Sequence, residues 1–98
     1  MAKPVFHPAA MAEYRASLRW YAQRDRRAAL RLEAAVERVL SAACKDPIRF
    51  PFCDGNHREA ILTRFPFSVI YRALPNGDIL VVAVAHASRE PGYWMERA

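Results

Sequence analysis

Two strand-like runs face each other across Asn76-Gly77: FSVIYR from Phe67 to Arg72, and ILVVAV from Ile79 to Val84. No other feature constrains the fold as tightly. Asn-Gly is the preferred pair for a two-residue type I′ hairpin, because both central positions need positive φ, and the turn sets which residues oppose each other. With that turn, Phe67 opposes His86, Val69 opposes Val84 and Tyr71 opposes Val82. One face then carries large apolar groups suited to lie under helices. The other carries Ser68, Ile70, Arg72, Leu74, Ile79, Val81, Ala83 and Ala85, a shallow semi-apolar surface with the look of a groove. A β-bulge near His86 would reverse the end of this assignment. ILVVAV itself is apolar without alternation and rich in β-branched residues, which marks a strand covered on both faces.

Upstream the period changes from two to 3.6. Met11, Tyr14, Leu18 and Tyr21 recur at helical spacing after Pro8, with Arg15, Arg19 and Gln23 on the other side, predicting an amphipathic helix over about residues 8 to 23. Asp25 is a candidate N-cap for a second helix with the stripe Leu32, Val36, Val39 and Ala43, ending before Pro47. So short a connection makes a helical hairpin. Lys3 to Phe6 is a short extended piece, and a Pro-containing loop with Ile48, Phe50, Phe52 and Gly55 leads to strands at about 57 to 63, 67 to 73 and 79 to 86. The order is β-α-α-β-β-β, an α+β fold with a helical hairpin packed on a small antiparallel sheet, over 1–98 as a single domain.

A chain of 98 residues buries roughly 60 to 70% of its unfolded surface, enough for one modest core. The net charge of +5 points to an acidic partner, nucleic acid or an acidic protein segment. Cys44 and Cys53 stand in no metal-ligand spacing and no signal peptide precedes them, so they read as reduced thiols of a cytoplasmic protein. No metal and no cofactor is expected. No apolar run approaches a membrane span.

The strand ILVVAV ends in the string VAHASREPGYW, Val84 to Trp94, where polar and aromatic groups crowd together. Pro91 and Gly92 force a turn that presents Tyr93 and Trp94. Arg89, Tyr93 and Trp94 are therefore candidates for a functional surface. Trp20 and Tyr21 read as packing aromatics, and Phe50 and Phe52 as pins that hold their loop to the core. Arg24, Arg26, Arg27, Arg31 and Arg38 form a basic edge on the helical hairpin, and Lys45 and Arg49 add charge to the loop that follows it.

The segments SLRWYAQR, KDPIRFP, Arg58 followed by FPFSVIYR, and AVAHASREPGYW occur in an order and spacing that resemble the ParE branch of the ParE/RelE toxin superfamily, also called plasmid stabilisation proteins. The resemblance runs over essentially the whole chain. It implies the toxin half of a type II toxin–antitoxin pair, neutralised by a cognate antitoxin protein. Two functions live on this fold. RelE-like members cut messenger RNA on the ribosome, whereas ParE-like members inhibit DNA gyrase with no catalytic act of their own.

The RelE-type reaction needs a base for the 2′-hydroxyl, cations for the charged phosphorane and an acid for the leaving group. In the family two of these jobs fall to arginines, whose positions here hold Ser68 and, on or near, Ala87; Tyr93 alone matches. Losing one such group costs roughly 10²- to 10³-fold, which favours the gyrase inhibitor. A ribonuclease built on this chain would have to use Arg58, His86, Arg89 and Tyr93. For the antitoxin, the groove lined by Ile70, Arg72, Val81 and Ala83 is the expected seat, because an apolar floor with a basic residue suits an acidic amphipathic segment.

Overall fold

The computed structural model describes residues 2 to 97. Its elements are β1 (Pro4–Phe6), α1 (Pro8–Arg24), α2 (Arg26–Lys45), β2 (Arg58–Ile61), β3 (Phe67–Ala73) and β4 (Ile79–His86), an α+β fold of two helices packed on one sheet. Local chemistry sets the helix ends. Pro8 occupies the first helical position, where its missing N–H costs no bond, and the preceding His7 Nδ1 accepts the Ala9 N–H at 3.0 Å. Asp25 serves both helices: its N–H donates to Tyr21 O at 2.7 Å, and its carboxylate accepts the Arg27 N–H at 3.0 Å.

The sheet order is β1-β4-β3-β2. It is mixed rather than wholly antiparallel, because β1 runs parallel to β4, with Pro4, Val5 and Phe6 against Ile79, Leu80 and Val81. β4 is an inner strand whose first six residues are all buried, so backbone groups on both its edges need partners, and β1 supplies the second edge. β3 pairs antiparallel with both β4 and β2.

The turn between β3 and β4 departs from the two-residue expectation. Leu74 O accepts the Gly77 N–H at 3.0 Å and the Leu74 N–H donates to Asp78 O at 2.8 Å, so the loop is Pro75-Asn76-Gly77. Gly77 has φ +94°, while Asn76 keeps negative φ. This is the three-residue hairpin, with Pro at the second turn position and Gly in the left-handed region. Pro75 is the reason. A two-residue loop would require the residue before Asn76 to donate a ladder hydrogen bond, and proline has no N–H.

The longer turn moves the register by one, so Ala73 pairs with Ile79, Arg72 with Leu80 and Tyr71 with Val81. A β-bulge between Ile70 and Tyr71, with Val82 as the extra residue, moves it back, and Ile70-Ala83, Val69-Val84 and Phe67-His86 pair as expected. Between turn and bulge the faces of β4 are exchanged. Ile79 and Val81 lie under the helices with Val69, Tyr71, Leu32, Val36 and Leu40. Leu80 and Val82 lie on the outer face with Ile70 and Ala83.

That outer face is not an open groove. The segment after β4 folds back over it and seats Trp94, 7% exposed, on Ile70, Leu80, Val82 and Ala83. Val81, expected to line the groove, is fully buried on the helix side. Only Arg72 of the four expected groove residues reaches solvent. The apolar floor that reads as a docking surface is satisfied by the chain's own tryptophan.

Candidate functional site

The C-terminal string gathers around one carboxylate. β1 ends at Phe6, so β4 runs on beyond its partner with exposed edge groups. Glu13, in the second turn of α1, takes over from the missing strand: its Oε1 accepts the Val84 N–H at 3.1 Å. Glu13 Oε2 accepts the Tyr93 hydroxyl at 2.7 Å and Arg97 Nη2 at 3.0 Å. Arg97 Nη1 donates to Val82 O at 2.9 Å, meeting a carbonyl at the bulge. One acid and one base thus close the open edge of β4 and fasten the C-terminal segment to α1.

Arg89 stands further out. Its Nη1 is 3.9 Å from Glu13 Oε2, its side chain is half exposed, and its guanidinium lies 3.9 Å from the Tyr93 ring centre. The Tyr93 hydroxyl is pushed up to about 12, first by burial and then by the hydrogen bond it gives to Glu13. The Arg97 guanidinium is raised by its bond to Glu13. Both groups are held in one protonation state near neutral pH.

Behind Trp94 lies a second polar pair. The His57 ring packs edge-on to Trp94 with 4.8 Å between centroids, and its Nδ1 meets both carboxylate oxygens of Asp54 at 3.0 and 3.1 Å. The backbone N–H groups of Asn56 and His57 also donate to Asp54, each at 2.7 Å, and together these bonds hold the Asp54 carboxyl below its ordinary range. His57 Nε2 is buried with no hydrogen-bond partner among the described residues.

The residues expected of a ribonuclease are dispersed. Arg58 holds the loop before β2, donating to Phe50 O at 2.8 Å and lying 3.8 Å from the Phe52 ring centre. His86 points to the helix side, edge-on to Phe67 at 5.0 Å, with Nδ1 accepting the Ser88 N–H at 3.0 Å. Arg89 and Tyr93 belong to Glu13. Phe52, expected to pin its loop, is 57% exposed beneath Arg58, and Trp20, expected to pack, is 51% exposed. Arg72 shares a recess with Pro47, Ile48, Phe52 and Arg58. Among the described residues no group of His, Cys, Asp and Glu side chains is placed to hold a metal ion.

Glu13, Arg97, Asp54 and His57 were invisible as site residues in the sequence. Glu13 and Arg97 look like solvated charges there; only their meeting across the fold gives them a role. The spacing Asp54-x-x-His57 carries the one available local signal, since an Asp at a turn bonds backbone N–H groups two and three residues on.

The family model for the ParE toxin of the type II toxin–antitoxin system, parDE, matches residues 5–91. The chain belongs to that family. A solved structure described as the chromosomal ParDE TA system from P. aeruginosa is similar in fold, with a TM-score of 0.73 at 17% identity over 90% of this chain and 98% of that one. No curated protein matches the sequence. Among the described residues of this ParE-family toxin no helix is long and apolar enough to cross a membrane. Its C-terminal string is thus divided: Tyr93, Trp94 and Arg97 face inward, and Arg89 remains at the surface.

Proposed function

We propose that this ParE-family toxin arrests growth by binding DNA gyrase, without catalysis of its own, and that a cognate antitoxin neutralises it. The observation that carries the non-catalytic reading is the dispersal of Arg58, His86, Arg89 and Tyr93 into three separate neighbourhoods. A transesterification on RNA needs its base, its cations and its acid around one phosphate. Tyr93, the natural candidate acid, spends its proton on Glu13. Arg89 is the accessible member of the C-terminal cluster and the residue through which the toxin meets its target, with the Tyr93 ring beneath its guanidinium.

For the antitoxin, the recess around Arg72 supports the reading. Arg58 and Arg72 lie there beside Ile48, 73% exposed, and Phe52, a pairing of cations with exposed apolar groups that suits an acidic amphipathic segment.

Purified toxin is expected to inhibit gyrase supercoiling or to trap cleaved DNA, and to leave messenger RNA intact in a translating extract. Codon-positioned cleavage in that extract, absent with heat-inactivated toxin, overturns the inhibitor reading in favour of a ribosome-dependent ribonuclease.

A further inference from the structure

Away from the C-terminal cluster, a second surface combines exposed rings with unpaired arginines. A cleft of about 400 Å³ lies between α1 and the paired ends of β3 and β4, lined by Ser17, Trp20, Tyr21, Phe67 and His86 along with Ala16. Its walls are aromatic. Trp20 leaves half its surface in water, and the Arg24 guanidinium stacks on it at 3.7 Å from the ring centre.

A second cleft, of about 430 Å³, lies beside α2. Arg31 and Arg38 of α2 face Thr63 and Arg64 of the turn before β3 across a floor of Ala34, Ala35 and Phe65. Tyr21 of the first cleft and Phe65 of the second meet edge to face with 5.5 Å between ring centres. Among the described residues no carboxylate lines either cleft. Arg38 and Arg64 make no ion pair among the described residues, and Arg31 has only a 3.9 Å approach to Asp25 with both side chains largely exposed.

Three arginines of α2 share one flank. At 3.6 residues per turn, Arg27, Arg31 and Arg38 project within about 40° of one another. Glu33 and Glu37 lie on the opposite flank, beside β1. No carboxylate of α2 shares the flank of Arg27, Arg31 and Arg38, although Arg26 lies on the glutamate side.

We propose that the two clefts form a binding site for single-stranded nucleic acid. One unstacked base enters the cleft of Trp20, Tyr21, Phe67 and His86, and the flanking phosphodiesters lie on Arg31, Arg38 and Arg64. Aromatic platforms beside a basic groove are the combination that binds a single strand, because every base has a face to stack and every linkage has a charge. An acidic protein segment satisfies the arginines but leaves the ring-lined cleft empty. A duplex satisfies the arginines too, but keeps its bases stacked inside. The net charge of +5 steers a polyanion toward the protein as a whole. This inference stands apart from the choice of target above, since neither Arg89 nor the Glu13 cluster takes part.

The test uses the full chain and fluorescein-labelled oligo-dT and oligo-rU, with binding read by anisotropy across a salt series. Saturable binding is expected for at least one homopolymer, and the tighter one names the natural chemistry, DNA or RNA. Trp20→Ala is expected to weaken binding about 5- to 100-fold, while Trp20→Phe, which keeps a stacking face, stays within about 3-fold of the parent. Arg38→Ala and Arg64→Ala should each lower the slope of log K against log salt by about 0.7 for every phosphate that the arginine neutralises. Arg64→Glu, on an exposed turn with no packing role, should weaken binding at least 10-fold and serves if Trp20→Ala fails to fold. Equal or tighter binding of a duplex of the same length, displacement by poly-glutamate as effective as by unlabelled oligonucleotide, or an unchanged affinity in folded Arg64→Glu overturns the proposal.

Discussion

The Tyr93 hydroxyl donates to Glu13 Oε2 at 2.7 Å, joining the second turn of the first helix to a residue 80 positions later. Through that bond, and the Arg97 bridge beside it, the C-terminal segment becomes part of the sheet rather than a tail. The same carboxylate covers the open edge of β4, so its loss unsettles two structures at once.

Glu13→Ala therefore leaves the Val84 N–H, the Tyr93 hydroxyl and the Arg97 guanidinium without their acceptor. A cost of about 2 kcal/mol is expected, lowering the melting temperature by roughly 8 to 16 °C in a chain of this size. Calorimetry checks this. Arg89→Ala, which removes a long, half-exposed ion pair and an exposed stack on the Tyr93 ring, should cost no more than about 1 kcal/mol.

Growth arrest separates surface from scaffold in the C-terminal string. Arg89→Ala should abolish arrest while the protein stays folded, as expected of an exposed contact residue. Trp94→Ala should lose roughly 3 to 5 kcal/mol, because it empties the covered face of the sheet, and toxicity should fall with the folded fraction. A folded and fully toxic Arg89→Ala protein moves the target surface elsewhere.

Alkaline titration reports on two tyrosines. Burial is the first cause that pushes both Tyr14 and Tyr93 up from 10.0 to about 12, followed for Tyr14 by Glu33 and Glu37 and for Tyr93 by Glu13. Since the folded value lies above the unfolded one, their contribution to stability is fully present below pH 10 and is lost as the pH rises toward 12. Tyrosinate absorbance should show a late fraction ionising near the unfolding transition. Tyr93→Phe should remove part of that fraction.

Gly77→Ala tests the turn. At φ +94° an L side chain is strained although the space beside it is empty, so a loss of roughly 1 to 2 kcal/mol is expected in denaturant unfolding. Asn76→Gly should not recover it, because Asn76 keeps a negative φ and instead accepts the Asp78 N–H at 3.0 Å. A two-residue turn would put Asn76 at positive φ as well, so Asn76→Gly would then be neutral or stabilising, while Gly77→Ala would cost about the same in either turn.

Acid destabilisation should draw on Asp54. Its carboxyl is held below 3.8, chiefly by the Asn56 N–H, so its contribution is present above that value and is lost as the pH falls further. Asp54→Asn should flatten this acid limb of the stability curve and loosen the loop that carries His57 against Trp94.

By itself the sequence determined what depends on near neighbours. The helix stripe Leu32, Val36 and Ala43, the N-cap at Asp25 and the bounds of β3 and β4 all follow from side chains a few positions apart, which is the range over which periodicity and capping act. Pro75 was also legible: its missing N–H rules out the two-residue turn. Tertiary structure decided the rest. The bulge at Val82 returns β4 to register, an exchange of faces that depends on what packs on either side of the sheet. Trp94 fills the face that reads as a groove, and nothing local distinguishes a tryptophan that waits for a partner from one that covers its own sheet. Glu13 and Arg97 become a structural pair only when residues 84 positions apart meet at the open end of a strand, because an edge needs its hydrogen bonds satisfied by whatever the fold brings there.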